Sequence, residues 1–166
     1  MGRLDEAAFA AFHARSAPAL RAYVYRVVGH AADADDIVQE AFLRMLRADL
    51  ETGDEDQWRR YLYRIASNLI VDGWRRRKFE QQDSPAMREP ASRTPHYEDD
   101  VTVARIFSEL KPRERALLWL AYVERESHEE IASSLGIGRR SVRVMLFRAR
   151  RRLRDLLQAR GMVVNG

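Results

Sequence analysis

The chain has no cysteine, which excludes a disulfide scaffold, thiolate chemistry and any zinc site built on sulfur. It has no uninterrupted apolar run near the ~18 residues that a membrane span requires, so nothing is expected to cross a bilayer. Its N-terminus, MGRLDEAAFAAF, carries acids where a secretory leader would carry an apolar stretch. With the missing cysteines, this points to the cytoplasm. Histidines are scattered, at His13, His30, His96 and His128, and no Ser/His/Asp set, glycine-rich phosphate loop or HExxH string occurs. No enzyme activity, no cofactor and no metal are therefore expected. Asp36 and Glu40 share one helix face, the nearest approach to a cation pair, but no histidine or second carboxylate helix of matching spacing accompanies them. Lysine is scarce as well: of 29 basic residues only Lys78 and Lys111 are not arginine.

What is present is enough apolar material, 46% of 166 residues, for one ordinary domain or two small ones. The net charge of +4 is unevenly spread. Residues 1–78 hold 13 basic and 12 acidic groups, residues 79–100 hold 2 and 6, and residues 101–166 hold 14 and 7. Eight arginines and no acid fall between Arg139 and Arg154. An arginine cluster of this kind points to a polyanion, because guanidinium forks suit phosphates and base edges. Residues 80–100, EQQDSPAMREPASRTPHYEDD, are acidic, contain Pro85, Pro90 and Pro95, and show no apolar period, so they read as a flexible linker. Both flanks repeat apolar residues every three to four positions, and alternation bounded by hairpin turns is absent. The fold class expected is all-α, two small helical domains spanning 1–79 and 101–160, with a tail at 161–166.

In the first domain, Phe9, Phe12, Leu20, Tyr23, Val24 and Val27 mark a long helix or helix pair ended by Gly29. Asp33 is expected to cap a second helix, ADDIVQEAFLRML, and Trp58, Tyr61, Leu62, Ile65, Ala66, Leu69 and Ile70 lie on a third spanning 57–78. The acidic start of the second helix, Asp33, Asp35, Asp36 and Glu40, reads as a protein-docking face. On the third helix, Trp58, Tyr61 and Tyr63 stand beside Arg59, Arg60 and Arg64, followed by Asn68 and the run Arg75 to Lys78. Aromatic rings beside arginine offer unpaired bases a stacking surface, and an Asn supplies a donor and an acceptor for a base edge.

In the second domain, Val103, Ile106, Phe107 and Leu110 give a short helix, Pro112 suits a first helical position, and the next helix carries Ala116, Leu117, Leu120 and Ala121. Ser127 and Glu130 form a capping box before Ile131, Ala132 and Leu135, and Gly136 breaks that helix. A final helix from about Ser141 to Leu157 puts Val142, Met145, Leu146, Ala149, Leu153, Leu156 and Leu157 on one stripe. A capped helix, the turn LGIG and an arginine-rich second helix make a helix-turn-helix. The major groove admits one helix. Arg143 and Arg148 then face guanine edges, Val144 and Phe147 face thymine methyls, and Arg139, Arg140 and Ser141 face phosphates.

ADADDIVQEAFLRML, WRRYLYRIASNLIVDGWRRR and LKPRERALLWLAYVERESHEEIASSLGIGRRSVRVMLFRARRRLRDLL together resemble the extracytoplasmic-function class of bacterial RNA polymerase sigma factors, within the sigma-70 family. The first two strings resemble its sigma-2 helical bundle and the third its sigma-4 helix-turn-helix. The resemblance implies that Asp35, Asp36, Gln39 and Glu40 dock on the clamp helices of the largest subunit of core RNA polymerase. It implies that the loop at 49–57 and the third helix open the minus-10 element and hold a flipped base, with Tyr61, Tyr63, Arg64, Asn68, Arg75 and Arg76 on promoter DNA. It also implies that the last helix reads the minus-35 duplex, that the second domain meets the polymerase flap, and that an anti-sigma factor is a candidate further partner. Gly138, Arg139, Arg140 and Ser141 depart from the Ser or Pro and Gly-Thr pair common at that turn, Met145 replaces a frequent arginine, and Tyr61 a frequent tryptophan. The alternative is a stand-alone helix-turn-helix regulator whose first domain serves as a dimerisation or effector module.

Overall fold

The computed structural model describes residues 5–48, 50, 53–83 and 101–162, and every regular element among them is helical. The chain divides into two compact units, one carrying α1–α3 and the other α4, α5, most of α6, and α7. The all-α class is as expected. The linker expected at 80–100 falls largely outside the described residues, which resume at Val101.

In the first unit, α1 spans Glu6–Val28, with the Asp5 carboxylate accepting from the Ala8 N–H at 2.6 Å. It runs through Pro18 as a single helix and stops at Gly29, whose φ of 73° suits a residue without Cβ. Helix α2 spans Ala31–Arg47. Its cap is His30 rather than Asp33: His30 holds the extended backbone of a cap, and its Nδ1 accepts from the Asp33 N–H at 3.4 Å. Asp33 is left in the first turn, where its charge still favours the helix N-terminus. Helix α3 spans Glu55–Asp83, with the Gln57 N–H donating to the Asp54 carboxylate at 2.8 Å. It runs five residues beyond the expected end, which is consistent with the first linker proline standing only at Pro85.

Aromatic rings meet in the core of this unit. Phe12 meets Trp58 edge-on at 5.8 Å between ring centres and Phe42 at 6.4 Å. Tyr23 lies 5.4 Å from Tyr63 and shares a 2.8 Å hydrogen bond with Ser67, which gives the buried phenol a partner across α1 and α3. Leu20, Val24, Val27, Met45, Leu62 and Ile70 complete it.

In the second unit, α4 spans Val101–Ser108 and α5 spans Pro112–Leu118, with the proline in the first turn as expected. The helix read through Leu120 and Ala121 instead widens into a π-helical turn, Trp119–Val123, where the Glu124 N–H reaches back to the Trp119 carbonyl at 3.1 Å. Helix α6 spans His128–Leu135, and α7 spans Arg139–Ala159, starting two residues earlier than expected. Leu110, Leu118 and Ala149 form a small core on which Phe107, Leu153 and Leu156 pack. Arg115 is buried on α5, and its guanidinium donates to the carbonyls of Ser108 at 2.9 Å and Leu110 at 2.6 Å. It thereby satisfies the Ser108 carbonyl, which the end of α4 leaves without a helical donor, and the Leu110 carbonyl in the turn that follows. Burial lowers the Arg115 pKa from its ordinary value, against the opposing pull of Glu114.

Candidate docking face and nucleic-acid interface

On α2, Asp35, Asp36 and Gln39 are exposed and Glu40 is half-buried. Two of these carboxylates already hold internal partners: Asp35 accepts from Arg21 of α1 at 2.7 Å, and Glu40 from Arg44 one turn on at 2.9 Å. The hydrogen bond to Asp35 raises the Arg21 pKa, and the charge of Asp35 adds to it. Both pairs are about half exposed, so they orient the side chains more than they stabilise the fold. Beside this face a cleft of about 730 Å³ opens between α1 and α2, floored by Phe9, Ala17, Pro18, Val38 and Phe42, with the Arg21–Asp35 pair at its margin. Leu43 and Leu46 extend the apolar surface onto the exposed side of α2.

On α3, Tyr61, Arg64, Asn68 and Arg75 follow one another at three, four and seven residues, which places them on one face. Arg64, Asn68 and Arg75 are exposed and Tyr61 is half-buried; Arg76 is exposed beside them. Tyr63 does not join them. Two residues is about 200° around a helix, so Tyr63 turns inward, where it is 2% exposed against Tyr23. Its expected place on the DNA-facing surface is corrected to the core. The alternation of aromatic and basic residues in WRRYLYR concealed this, because both tyrosines have an arginine neighbour.

The capping box before α6 is complete. The Glu130 N–H donates to Ser127 Oγ at 3.1 Å, and the Ser127 N–H donates to the Glu130 carboxylate at 2.8 Å. Gly136, with φ 64°, ends α6, and three residues later α7 begins. Val142, Leu146 and Ala149 are buried, which turns Arg140, Arg143, Val144, Phe147, Arg148 and Arg151 outward. Val144 is 48% and Phe147 56% exposed, so this face offers apolar tips within a field of guanidinium groups.

The Sigma-70 region 2 family matches residues 12–80 and the Sigma-70 region 4 family matches residues 101–153. The chain is 30% identical to the ECF RNA polymerase sigma factor SigL of Mycobacterium tuberculosis, an alignment covering 95% of this chain and 93% of that one. The chain belongs to the extracytoplasmic-function sigma factors. It is also 34% identical to SigE of Mycolicibacterium smegmatis over 80% of its own length, although it spans only 55% of the length of that relative. Among solved structures, the sigma factor RpoE of Bartonella quintana, crystallised with the anti-sigma factor NepR, superposes with a TM-score of 0.70 at 24% identity, covering 88% of this chain and 94% of that one. Membership of this family favours a promoter-specificity subunit over a stand-alone regulator.

Two features of this sigma factor escaped the sequence reading. One is the apolar cleft between α1 and α2. Its signal was present in α2, where Ile37, Val38, Ala41, Phe42, Leu43, Met45 and Leu46 cover more of the helix than the single stripe a buried face requires. The other is the tether between Tyr122 and Arg150, 28 residues apart in sequence, for which no local pattern exists. Part of the loop expected at 49–57 lies outside the described residues. Among the described residues no cluster of metal-ligating side chains occurs, and no helix is long and apolar enough to cross a membrane.

Proposed function

We propose that this sigma factor docks on the clamp helices of core RNA polymerase through Asp35, Asp36, Gln39 and Glu40 of α2. In this reading it holds unpaired minus-10 bases against the α3 face of Tyr61, Arg64 and Asn68, with Arg75 and Arg76 on the backbone. It reads the minus-35 duplex with Arg143, Val144, Phe147 and Arg148 of α7, while Arg139, Arg140 and Ser141 meet phosphates. The observation that carries this reading is the outward face of α7, where exposed Val144 and Phe147 sit among arginines with no carboxylate between Arg139 and Arg154. Such a face has little use on a solvated helix and suits thymine methyls, guanine edges and phosphates. The minus-10 role rests on the α3 stripe: strand opening costs unstacking energy, and a base stacked on Tyr61 beside Arg64 offsets part of it.

The proposed division is a polymerase-binding and minus-10 domain through Asp83, a linker of 84–100, and a minus-35 domain from Val101 that also meets the polymerase flap. The protein works in the cytoplasm and has no catalytic activity of its own. The RpoE of Bartonella quintana was crystallised with an anti-sigma factor, and the apolar cleft beside Leu43 and Leu46 gives this chain a surface on which a partner of that class would bury an apolar helix face.

The test is charge reversal of Asp36 and Glu40 to Lys in the full chain, read by pull-down of core polymerase and by run-off transcription. Core binding should be lost, with thermal stability lowered by no more than about 1 kcal/mol, since Asp36 is exposed and the Glu40–Arg44 pair that is broken is half exposed. Retained core affinity removes α2 as the docking face.

A further inference from the structure

We propose that Tyr122 is a positioning residue, holding the guanidinium of Arg150 along one flank of α7 for a backbone phosphate of the minus-35 duplex. This deepens the minus-35 reading and rests on it. The base-facing side of α7 centres on Val144, Phe147 and Arg151, opposite the buried Val142, Leu146 and Ala149. Arg139 and Arg150 stand eleven residues apart, close to three whole helical turns, so they form a row on one flank of that side. A helix lying in the major groove presents its flanks to the groove edges, and the groove edges are lines of phosphate.

Within that row Arg150 is tied down. Its Nη1 donates to the Tyr122 hydroxyl at 2.9 Å, and Tyr122 itself is 54% exposed. The tyrosine projects from the π-helical turn Trp119–Val123, which is followed by Arg125 at a φ of 55°, so the backbone that carries the hydroxyl is locally set apart from an ordinary helix.

The chemistry of the partner matters. In the first unit, Arg15, Arg21 and Arg44 are held by carboxylates, Glu55, Asp35 and Glu40, which orient each guanidinium and also neutralise it. The partner of Arg150 is a neutral hydroxyl. It restrains a long side chain while leaving its full positive charge and its other N–H groups available to an anion. A surface bond between a phenol and a guanidinium adds little to fold stability, so its value lies in presenting the charge. Because a phosphate contact carries no base information, the Tyr122–Arg150 pair should add affinity without changing sequence preference.

The experiment uses the full chain bound to core polymerase, on a promoter recovered by the wild-type holoenzyme from a random-sequence library, with binding measured across a salt series. Arg150→Ala should weaken binding about tenfold and reduce the magnitude of the salt slope by about one, as loss of a single phosphate contact does. Tyr122→Phe, which removes only the hydroxyl, should weaken binding about threefold and have no further effect in the Arg150→Ala background. Both should leave the melting temperature and the minus-35 base preference unchanged, whereas Arg143→Ala should alter that preference. An unchanged salt slope in Arg150→Ala overturns the phosphate contact. Additive losses in the double variant overturn positioning by Tyr122. Failure of the wild-type holoenzyme to bind any promoter removes the sigma reading itself, and this inference with it.

Discussion

In the first unit, Phe12 meets Phe42 and Trp58 ring to ring, and Tyr23 packs on Tyr63. In the second, the buried apolar side chains are aliphatic, among them Ile106, Leu117, Leu120, Ile131 and Val142, and a buried arginine closes the gap between α4 and α5 with two hydrogen bonds. The contrast follows from helix length. Helices of 23, 17 and 29 residues have enough adjacent turns to bring large rings together. Helices of 8, 7 and 8 residues precede α7 in the second unit, and each of their ends leaves backbone groups that need partners from elsewhere. One unit is therefore most sensitive to loss of volume, and the other to loss of a donor.

The sharpest way to break that comparison is Phe12→Ala. A fully buried ring lost from a packed core costs about 3–5 kcal/mol. Amide hydrogen exchange should then show lost protection along α1–α3, with α5 and α7 little changed. Equal loss in both units would mean that they unfold as one and that the contrast has no thermodynamic content. Arg115→Ala is the counterpart. It should cost about 1–3 kcal/mol for each carbonyl left buried without a donor, with protection lost first at the α4–α5 junction. Arg115→Lys should recover only part of this, because both bonds leave Nη1 and a lysine ammonium ends one bond short of that atom. Full recovery would reduce Arg115 to a simple cation. The smallest effect is expected at Arg125, which holds a left-handed backbone at φ 55°. Arg125→Gly should relieve that strain and raise stability by up to about 1 kcal/mol, offset by the greater freedom of an unfolded glycine. A thermal melt showing a clear loss would mean that the Arg125 side chain holds the turn.

The helices with local start and stop signals were legible. Ser127 with Glu130, Pro112, Gly29 and Gly136 each act within four or five residues, so the string that encodes them also encloses their physics. Legibility failed where a signal had two solutions a turn apart. His30 took the cap expected of Asp33, because the chain leaving Gly29 is extended at His30 and already helical by Asp33. For Tyr63 the pattern gave an aromatic beside arginines, and only the angle around α3 separated it from Tyr61.

The sequence by itself determined that both units are helical, the helix-turn-helix and the stripe of α7, because periodicity and capping are short-range properties of the backbone. It also located the acidic face of α2 and the arginine field of α7, since a charge cluster on one helix needs no partner to exist. Tertiary structure alone decided which ring of α3 is buried, that α1 and α2 leave an apolar cleft between them, that Arg115 closes the end of α4, and that a hydroxyl from one helical turn restrains Arg150 on another. Each of these depends on which surfaces meet. That is fixed by the joint packing of side chains distant in sequence, through contacts that no local pattern records.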